Sequence, residues 1–230
     1  GNGHTLTSKA ARAINVSGGV VATIKNLTID ASGERAINVI QNAEKVSIIN
    51  VTAKAANYTV NVAASAAGAE IEIENSTLTG LCTVNISASD VTTTIESSTI
   101  NCVDNNSAEY YAALSMGVEA ERSTITATNT TINVSDDSIK ASVASETGRI
   151  IIDGSENEVV YKEAYISYGA NSYVFDTLAE AIEYAKDGET VTLIRDVELS
   201  DILAINKSIT LDGNGHTLTS KAARAINVSG

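Results

Sequence analysis

An eighteen-residue segment occurs twice in this chain without a single difference. Residues 1–18 read GNGHTLTSKAARAINVSG, and residues 213–230 repeat the same letters at an offset of 212 positions. Folding alone does not demand such identity, because exposed positions of any fold tolerate exchange. The duplication therefore predicts a tandem array with a unit of 212 residues, of which this chain spans one period and the start of the next.

A shorter period lies inside the long one. A motif with an apolar residue, a polar corner and a threonine recurs in steps of 24, 25, 22 and 25 residues, and its threonines are Thr28, Thr52, Thr77, Thr99 and Thr124. A second series, Ile-Asn-Val and its variants, recurs in steps of 23, 23 and 24 residues, and its central residues are Asn15, Asn38, Asn61 and Asn85. Two series with one period indicate turns of about 22–27 residues that each contain at least two strands.

This period predicts a parallel β-helix, or β-solenoid. It is too short for a propeller blade of about 40–45 residues, and the consensus patterns of helical repeats are missing. The apolar residues are mainly Ile, Val, Ala and Leu, with one Phe, no Trp and no Pro. Such side chains suit strands that stack on a pleated surface. We therefore expect an all-β fold of about seven rungs, stacked about 4.8 Å apart.

Alternation along the threonine motif assigns its residues to two faces. Ile24, Leu27 and Ile29 can all point inward only if the chain bends at residues 25–26. Asparagine tolerates the left-handed backbone of a sharp corner, and stacked Asn side chains can hydrogen-bond between rungs. The predicted corner ladder consists of Asn26, Asn50 and Asn75. We expect a scaffold role for it and for the outward ladder of Thr28, Thr52, Thr77, Thr99 and Thr124.

The pattern changes after about residue 153. Two short runs, Tyr165–Tyr168 and Tyr173–Phe175, are separated by residues 169–172 and are typical of a β-hairpin. Strands resume at Val191 and lead into the second copy of the duplicated segment. The expected organisation is solenoid rungs over 1–160, a hairpin and capping helix over 161–190, and the first rungs of the next unit over 191–230.

One convincing helix is predicted, over residues 177–187. Asp176 is the expected N-cap, and Gly188 is placed to end the helix. The apolar positions share one helix face, which should pack against the solenoid. These packing residues are Leu178, Ala181, Ile182 and Ala185.

A family resemblance rests on the run from Tyr173 to Leu218, which contains TLAEAIEYAKDGETVTL and INKSITLDGNGHTL. This run resembles the opening module of pectin-lyase-like β-helix domains in bacterial cell-surface proteins. The resemblance implies a right-handed parallel β-helix whose first rung is plugged by the amphipathic helix. It covers residues 1–150 only through the rung pattern. It also implies that the natural unit starts near residue 160, so that the chain is permuted relative to that domain.

Charge and motifs narrow the classes of function. The formal net charge of −13 argues against nucleic acid, because phosphate binding needs clustered Lys and Arg. No apolar run approaches the ~18 residues of a membrane-spanning segment. Lyases of the resembled family use an acidic Ca²⁺ site and a basic residue, yet the acidic candidates here never recur beside an Arg at rung spacing. These candidates are Asp136, Asp137, Asp153, Asp187 and Glu189.

Histidine and tyrosine give weak signals for a site. His4 and His216 occupy the same repeat position, so each unit has one histidine, too few for a metal cluster or a catalytic triad. We expect no enzyme activity, no cofactor and no metal. Sugar-binding surfaces use aromatic faces, and the solenoid part has only Tyr58, Tyr110 and Tyr111. Four further tyrosines cluster around the hairpin, where packing or a joint between units explains them, and they are Tyr161, Tyr165, Tyr168 and Tyr173.

The two cysteines, Cys82 and Cys102, are separated by about one rung. Alignment on the threonine ladder stacks Cys102 over Gly80, which brings the two cysteines close to bonding range. A disulfide between neighbouring rungs and a pair of thiols both fit this spacing.

Taken together, the sequence predicts a structural repeat unit of a long extracellular fibre or adhesin stalk on the bacterial cell surface. Each unit should contact neighbouring copies head to tail, with a host or surface glycan as a further partner. The alternatives are a carbohydrate-binding β-helix module of a surface adhesin and a polysaccharide lyase-like enzyme.

Overall fold

A computed structural model describes residues 1–103, 112–169 and 171–229 of the chain. The chain divides into two compact units, Gly1–Val160 and Tyr161–Gly230. Strands predominate, and they stack in parallel as a β-solenoid of about nine turns. The predicted parallel β-helix is confirmed, with about two turns more than expected.

The strands of the first unit are divided between two sheets. Their bounds are β1 His4–Ser8, β2 Arg12–Ser17, β3 Val21–Ala31, β4 Arg35–Ile40, β5 Lys45–Lys54, β6 Tyr58–Val62, β7 Glu70–Glu74, β8 Thr77–Gly80, β9 Cys82–Ile86, β10 Thr92–Glu96, β11 Thr99–Cys102, β12 Leu114–Met116, β13 Thr124–Thr128, β14 Thr131–Asn133, β15 Ala141–Val143, β16 Arg149–Ile152 and β17 Val159–Tyr161. Two 3₁₀ turns lie at Ala64–Ala66 and Asp137–Ile139.

Register is kept from one turn to the next. The seven-stranded sheet has the order β17-β15-β12-β9-β6-β4-β2, so each of its inner strands pairs with the equivalent strands of the turns before and after. Parallel partners along one apolar column are Ile14, Ile37, Val60, Val84, Leu114 and Ala141. Each member from Ile37 onward is fully buried. The repeated pattern of small apolar residues thus becomes a continuous core.

Left-handed residues make the bend within the ten-stranded sheet. Asn26 in β3, Asn50 in β5 and Asn75 between β7 and β8 have φ values of 53°, 51° and 48°. Asparagine accepts this conformation more readily than other side chains that carry a Cβ. The bend resets the alternation of side chains, so Ile48 before the corner and Val51 after it are both buried.

Buried serines complete the hydrogen bonding at these corners. The Ser76 hydroxyl accepts the Val51 N–H at 3.1 Å and donates to the Glu74 carbonyl at 2.7 Å. One turn later the Ser98 hydroxyl accepts the Ser76 N–H at 3.1 Å and donates to the Glu96 carbonyl at 2.8 Å. Backbone groups that the bend removes from the sheet therefore keep partners, as buried polar groups must.

The second unit contains a hairpin, one helix and two short turns of solenoid. The bounds are β18 Ala164–Tyr168, β19 Asn171–Phe175, α1 Leu178–Tyr184, β20 Thr190–Leu193, β21 Val197–Leu199, β22 Leu203–Ile205, β23 Thr210–Asp212, β24 Leu218–Ser220 and β25 Ile226–Val228. Strands β18 and β19 pair antiparallel, and β18 also pairs antiparallel with β20. The parallel pairs β20–β23, β21–β24 and β22–β25 build the two turns.

The N-cap of α1 is Thr177, and the prediction of Asp176 is wrong. The Thr177 hydroxyl accepts the Glu180 N–H at 3.2 Å, and the Glu180 carboxylate accepts the Thr177 N–H at 3.1 Å. This reciprocal capping box needs Thr and Glu three residues apart, which Asp176 cannot provide. The Asp176 carboxylate instead pairs with the buried Lys162 ammonium.

The helix is shorter than predicted, because it ends at Tyr184 with Ala185 as its C-cap. The Lys207 ammonium donates to the carbonyls of Ile182 and Ala185 at 3.2 and 2.8 Å. A cation at this end satisfies carbonyls that have no partner within the helix. Gly188, with φ of 86°, lies in the turn that follows. The predicted packing residues are all buried in one apolar cluster, and they are Leu178, Ala181, Ile182 and Ala185.

Thr93 is a polar residue in an apolar column. It pairs with Ile71 and Ile125 in the neighbouring turns and is fully buried, and its hydroxyl has no hydrogen-bond partner among the described residues. We expect Thr93→Val to stabilise the protein by about 1–2 kcal/mol, since a buried hydroxyl without a partner costs about that much. Urea unfolding followed by circular dichroism measures this gain.

Thr94→Val is the matched control, because Thr94 is exposed on the same strand. It should change the free energy of unfolding by less than about 0.5 kcal/mol. If the Thr93→Val protein is no more stable than this control, the Thr93 hydroxyl is not a buried group that lacks a hydrogen-bond partner.

Candidate functional site

The outward threonine column is in register over most of its length. Thr28 pairs with Thr52, Thr52 with Thr77, and Thr77 with Thr99. Thr5 extends the column at one end through its pairing with Thr28. These side chains are exposed or half-buried, so the column lines the outer wall.

The placement of Thr124 in this column is wrong. Thr124 pairs with Thr92, and the partner that follows Thr99 in the column is Thr131. The reason is a longer turn, which separates Thr99 from Thr131 by 32 residues where the regular step predicts about 25. The true corner of this turn is Asn129, with φ of 48°. The Ser-Thr-Ile letters at 123–125 match the motif but occupy another strand.

The predicted corner asparagines lie on successive turns. The Asn50 side-chain amide donates to the Asn26 oxygen at 2.8 Å in an exposed position. Asn75 occupies the corner of the next turn, and its backbone N–H donates to the Glu96 carbonyl at 3.1 Å. The corner thus combines left-handed backbone with hydrogen bonds between turns.

A second asparagine ladder, in the other sheet, was not predicted. Asn38 donates to Asn15 at 2.9 Å, Asn61 to Asn38 at 2.8 Å, and Asn85 to Asn61 at 2.9 Å. Asn38 and Asn61 are only 1% and 5% exposed, so these amides are satisfied almost wholly by one another. The regular period of the Ile-Asn-Val series was the sequence signal from which this ladder could have been predicted. An amide can repeat indefinitely, because it is both donor and acceptor.

Both cysteines are thiols in the structure. The predicted alignment of Cys102 with Gly80 is confirmed by the register of β11 and β8. Burial raises the pKa of the Cys82 thiol to about 12. The Cys102 thiol donates to the Leu81 carbonyl at 3.0 Å.

The acidic candidates are engaged in local structure. Asp136 accepts the Ser138 N–H at 2.8 Å, which lowers the pKa of its carboxyl, and Asp153 accepts the Asn129 N–H at 2.9 Å. Asp187 accepts the Ser208 N–H at 2.8 Å.

The other two acidic candidates bind a cation and a helix-terminal turn. Asp137 lies 3.6 Å from the Lys140 ammonium. The Glu189 carboxylate accepts the Lys186 N–H, and this hydrogen bond is the main cause of the lowered pKa of Glu189. The same carboxylate accepts the Tyr168 hydroxyl at 2.8 Å. Among the described residues, no group of three or more His, Cys, Asp and Glu side chains is arranged to hold a metal ion.

Ion pairs join turns on the outer wall. The Lys45 ammonium contacts Glu72 at 2.5 Å and Glu70 at 3.1 Å, and the hydrogen bond from Lys45 lowers the pKa of Glu72. Arg122 binds both carboxylate oxygens of Asp90, at 2.7 and 2.6 Å. These exposed pairs contribute little stability each, but they link residues at equivalent levels of adjacent turns.

The tyrosines lie mostly in the second unit. The rings of Tyr168 and Tyr173 are 4.9 Å apart, those of Tyr173 and Tyr184 are 5.8 Å apart, and Phe175 lies 5.3 Å from Tyr184. In the first unit, Tyr58 lies beneath the Arg35 guanidinium at 5.4 Å. Tyr110 and Tyr111 lie outside the described residues.

The two copies of the duplicated segment have the same local structure. Asn2 and Gly3 have φ values of 49° and 79°, and the equivalent Asn214 and Gly215 have 48° and 85°. In both copies the histidine N–H donates to the glycine carbonyl three residues earlier, at 2.9 and 2.8 Å. The strands β24 and β25 fall within the equivalents of β1 and β2. Identical residues therefore build the same turn twice.

The two copies differ in the edge that is hydrogen-bonded. In residues 1–18, β1 pairs with β3 and β2 with β4, which belong to the following turn. In residues 213–229, β24 pairs with β21 and β25 with β22, which belong to the preceding turn. Val16 is consequently 6% exposed, whereas its equivalent Val228 is 74% exposed. Together, the two copies show both edges of the same turn in a paired state.

His216 and His4 also differ. The His216 imidazole is 10% exposed and lies 3.8 Å from the Asp196 carboxylate, whereas His4 is exposed.

No helix in the described part of the chain is long and apolar enough to cross a membrane. Comparison with known proteins finds no match to this chain among family models, curated proteins or solved structures.

A substitution at the centre of the buried amide ladder should destabilise the protein. Asn61→Ala removes two hydrogen bonds and leaves the Asn38 oxygen without its donor, so we expect a loss of about 1–3 kcal/mol in the free energy of unfolding. Asn133→Ala is the control, because Asn133 is exposed and makes one such bond, to Asn101. Its effect should stay below about 0.5 kcal/mol. Equal losses of unfolding free energy for Asn61→Ala and Asn133→Ala in urea would contradict a stabilising role of the buried ladder.

The cysteines should differ in reactivity. Cys82 is buried with a raised pKa and should resist iodoacetamide at pH 8 in the folded protein, while the partly exposed Cys102 is alkylated. Intact-mass spectrometry should find one adduct in the native protein and two after unfolding. No adduct in the unfolded protein without reductant would instead indicate a disulfide.

Proposed function

We propose that this chain is a structural repeat unit of a long extracellular fibre or adhesin stalk on the bacterial cell surface. The observation that supports the proposal is the opposite pairing of the two identical segments. One copy pairs with the turn after it, and the other pairs with the turn before it. A single turn inside a continuous array would use both edges.

Joining the two registers gives an unbroken apolar core. Val197 pairs with Leu218, and the equivalent Leu6 pairs with Ile29. Leu203 pairs with Ile226 in the same way, and its equivalent Ile14 pairs with Ile37. Each of these columns is apolar on both sides of the shared turn. The register therefore supports a solenoid that runs through the duplicated segment, from one 212-residue period into the next.

Such an array lengthens by duplication. Each turn contacts only its neighbours, so stability is approximately a sum over turns and interfaces. About eight turns per 212-residue period, stacked about 4.8 Å apart, correspond to about 40 Å of solenoid in every repeat. The net charge of −13 would limit side-by-side association of such rods.

The helix supplies a closed first end for each repeat. Leu178 and Ile182 pack with Val191, Leu203 and other residues of the two turns that follow. This cluster covers an apolar end that would otherwise face water. The bacterial and extracellular placement is supported by the resemblance of the same stretch to the opening module of cell-surface β-helix domains.

Polypeptides with three and six covalent copies of the 212-residue period test the proposal. Negative-stain electron microscopy should find rods whose length rises by about 40 Å for each added copy. Val16→Asp in every copy is the control, because it places a charge in the shared turn and should interrupt the rods. Compact particles whose longest dimension does not grow with copy number would refute the stalk.

A further inference from the structure

We propose that Tyr173 and Tyr184 form an oxidative cross-linking site, whose product is a dityrosine bond between the hairpin and helix α1. The oxidant is hydrogen peroxide, which acts through a haem peroxidase in solution. Both residues belong to the second unit, and the reaction requires neither the fibre nor a neighbouring copy of the chain.

The two tyrosines lie side by side at the surface. Tyr173 is in β19, and Tyr184 is the last residue of α1. Their ring centroids are 5.8 Å apart, and the ring planes are inclined by 42°. Tyr173 is 37% exposed and Tyr184 is 42% exposed, whereas every other tyrosine that the structure describes is more deeply buried. An oxidant in the solvent therefore reaches both rings of this pair.

The inclination of the two rings suits a direct bond between them. Dityrosine joins the ring carbons that lie next to the two hydroxyl-bearing carbons, and rings joined by a single bond settle at a twist between coplanar and perpendicular. The Tyr173 and Tyr184 rings already have an intermediate inclination. Exposed side chains change rotamer within nanoseconds, so small rotations bring the two ring edges together.

The coupling is balanced in atoms and electrons. The peroxidase takes one electron from each phenol, and the two phenolic protons pass to water. The two phenoxyl radicals then form one carbon–carbon bond, and the hydrogens on the joined ring carbons move through water to the phenol oxygens. The tyrosine pair loses two hydrogen atoms in total, and one molecule of hydrogen peroxide is reduced to two molecules of water.

The surroundings of the pair favour this partner over the nearby rings. Tyr168 is closer to Tyr173, at 4.9 Å, but the two planes are inclined by 80°, so the edge of one ring points at the face of the other. The Tyr168 hydroxyl is also held by the Glu189 carboxylate, at 2.8 Å, and burial raises the pKa of Tyr168 to about 12. Phe175 lies 5.3 Å from Tyr184 but has no hydroxyl, so it cannot become a phenoxyl radical.

The bond would hold the cap together. It ties β19 to the end of α1, and the segment between them contains Phe175, Leu178 and Ile182, which are buried in one apolar cluster. A covalent link that closes residues 173–184 into a loop restricts the unfolded chain more than the folded one. The cross-linked hairpin and helix should therefore separate less often.

Peroxidase treatment of the dilute full chain tests the site. With limiting hydrogen peroxide, we expect blue dityrosine fluorescence and a monomer whose mass is lower by two hydrogens. Digestion after glutamate should release residues 164–180 joined to residues 184–189, because the cut sites separate the two tyrosines, and these sites are Glu163, Glu180, Glu183 and Glu189. Absence of the fluorescence, or cross-linked dimers without the modified monomer, would overturn the proposal.

Phenylalanine variants identify the two partners, since they keep the packed ring and remove the hydroxyl. Tyr173→Phe and Tyr184→Phe should each lower the yield of the modified monomer at least tenfold. Tyr168→Phe is the matched control and should change the yield less than twofold, with circular dichroism confirming that all three variants are folded. A tenfold loss in Tyr168→Phe, or an undiminished yield in Tyr184→Phe, would place the bond elsewhere and overturn the proposal.

Amide hydrogen exchange tests the effect of the bond on the cap. Exchange in residues 173–184 should be several-fold slower in the cross-linked chain than in the Tyr184→Phe chain after the same treatment, because local opening must now work against the bond. Equal exchange in the two chains would overturn the role of the bond in holding the hairpin to the helix.

Discussion

Hydrogen bonding between successive turns holds this molecule together. The inner strands of a parallel β-helix satisfy their backbone groups through the turn before and the turn after. At the start of the second unit the antiparallel strand β18 pairs with β20, and the α1 cluster covers apolar side chains. The duplicated segment shows both halves of this bonding, because one copy pairs with the turn that follows it and the other with the turn that precedes it.

Columns of similar side chains keep the turns in register. The ladder through Asn38 and Asn61 uses a group that donates on one side and accepts on the other, so it can extend for as many turns as the chain supplies. Serines at the bends act in the same way on the backbone, as Ser76 and Ser98 do in consecutive turns. A slip of one residue would break these ladders and expose the apolar columns beside them, which makes register a strongly determined property.

Local spacing determines some features of this fold, while contacts between turns determine others. Periodicity was enough to predict the parallel stack, the alignment of Cys102 with Gly80 and the packing face of α1. It misplaced Thr124, because the letters around residues 123–125 satisfy a local motif while the turn that contains them is longer than its neighbours. It also chose Asp176 as the N-cap, since a single polar residue before a helix looks suitable until the reciprocal contact of Thr177 and Glu180 is seen.

The sequence alone determined the repeat, the rung period and the strand-rich core, because these depend on local spacing and side-chain type. It also determined the shape of the duplicated turn, whose Asn-Gly pair adopts the same left-handed backbone in both copies. Only the tertiary structure decided which edge of each copy is bonded, and therefore why Val16 is buried and Val228 is exposed. Identical residues cannot encode that difference, since it arises from the strands that lie beside each copy in space.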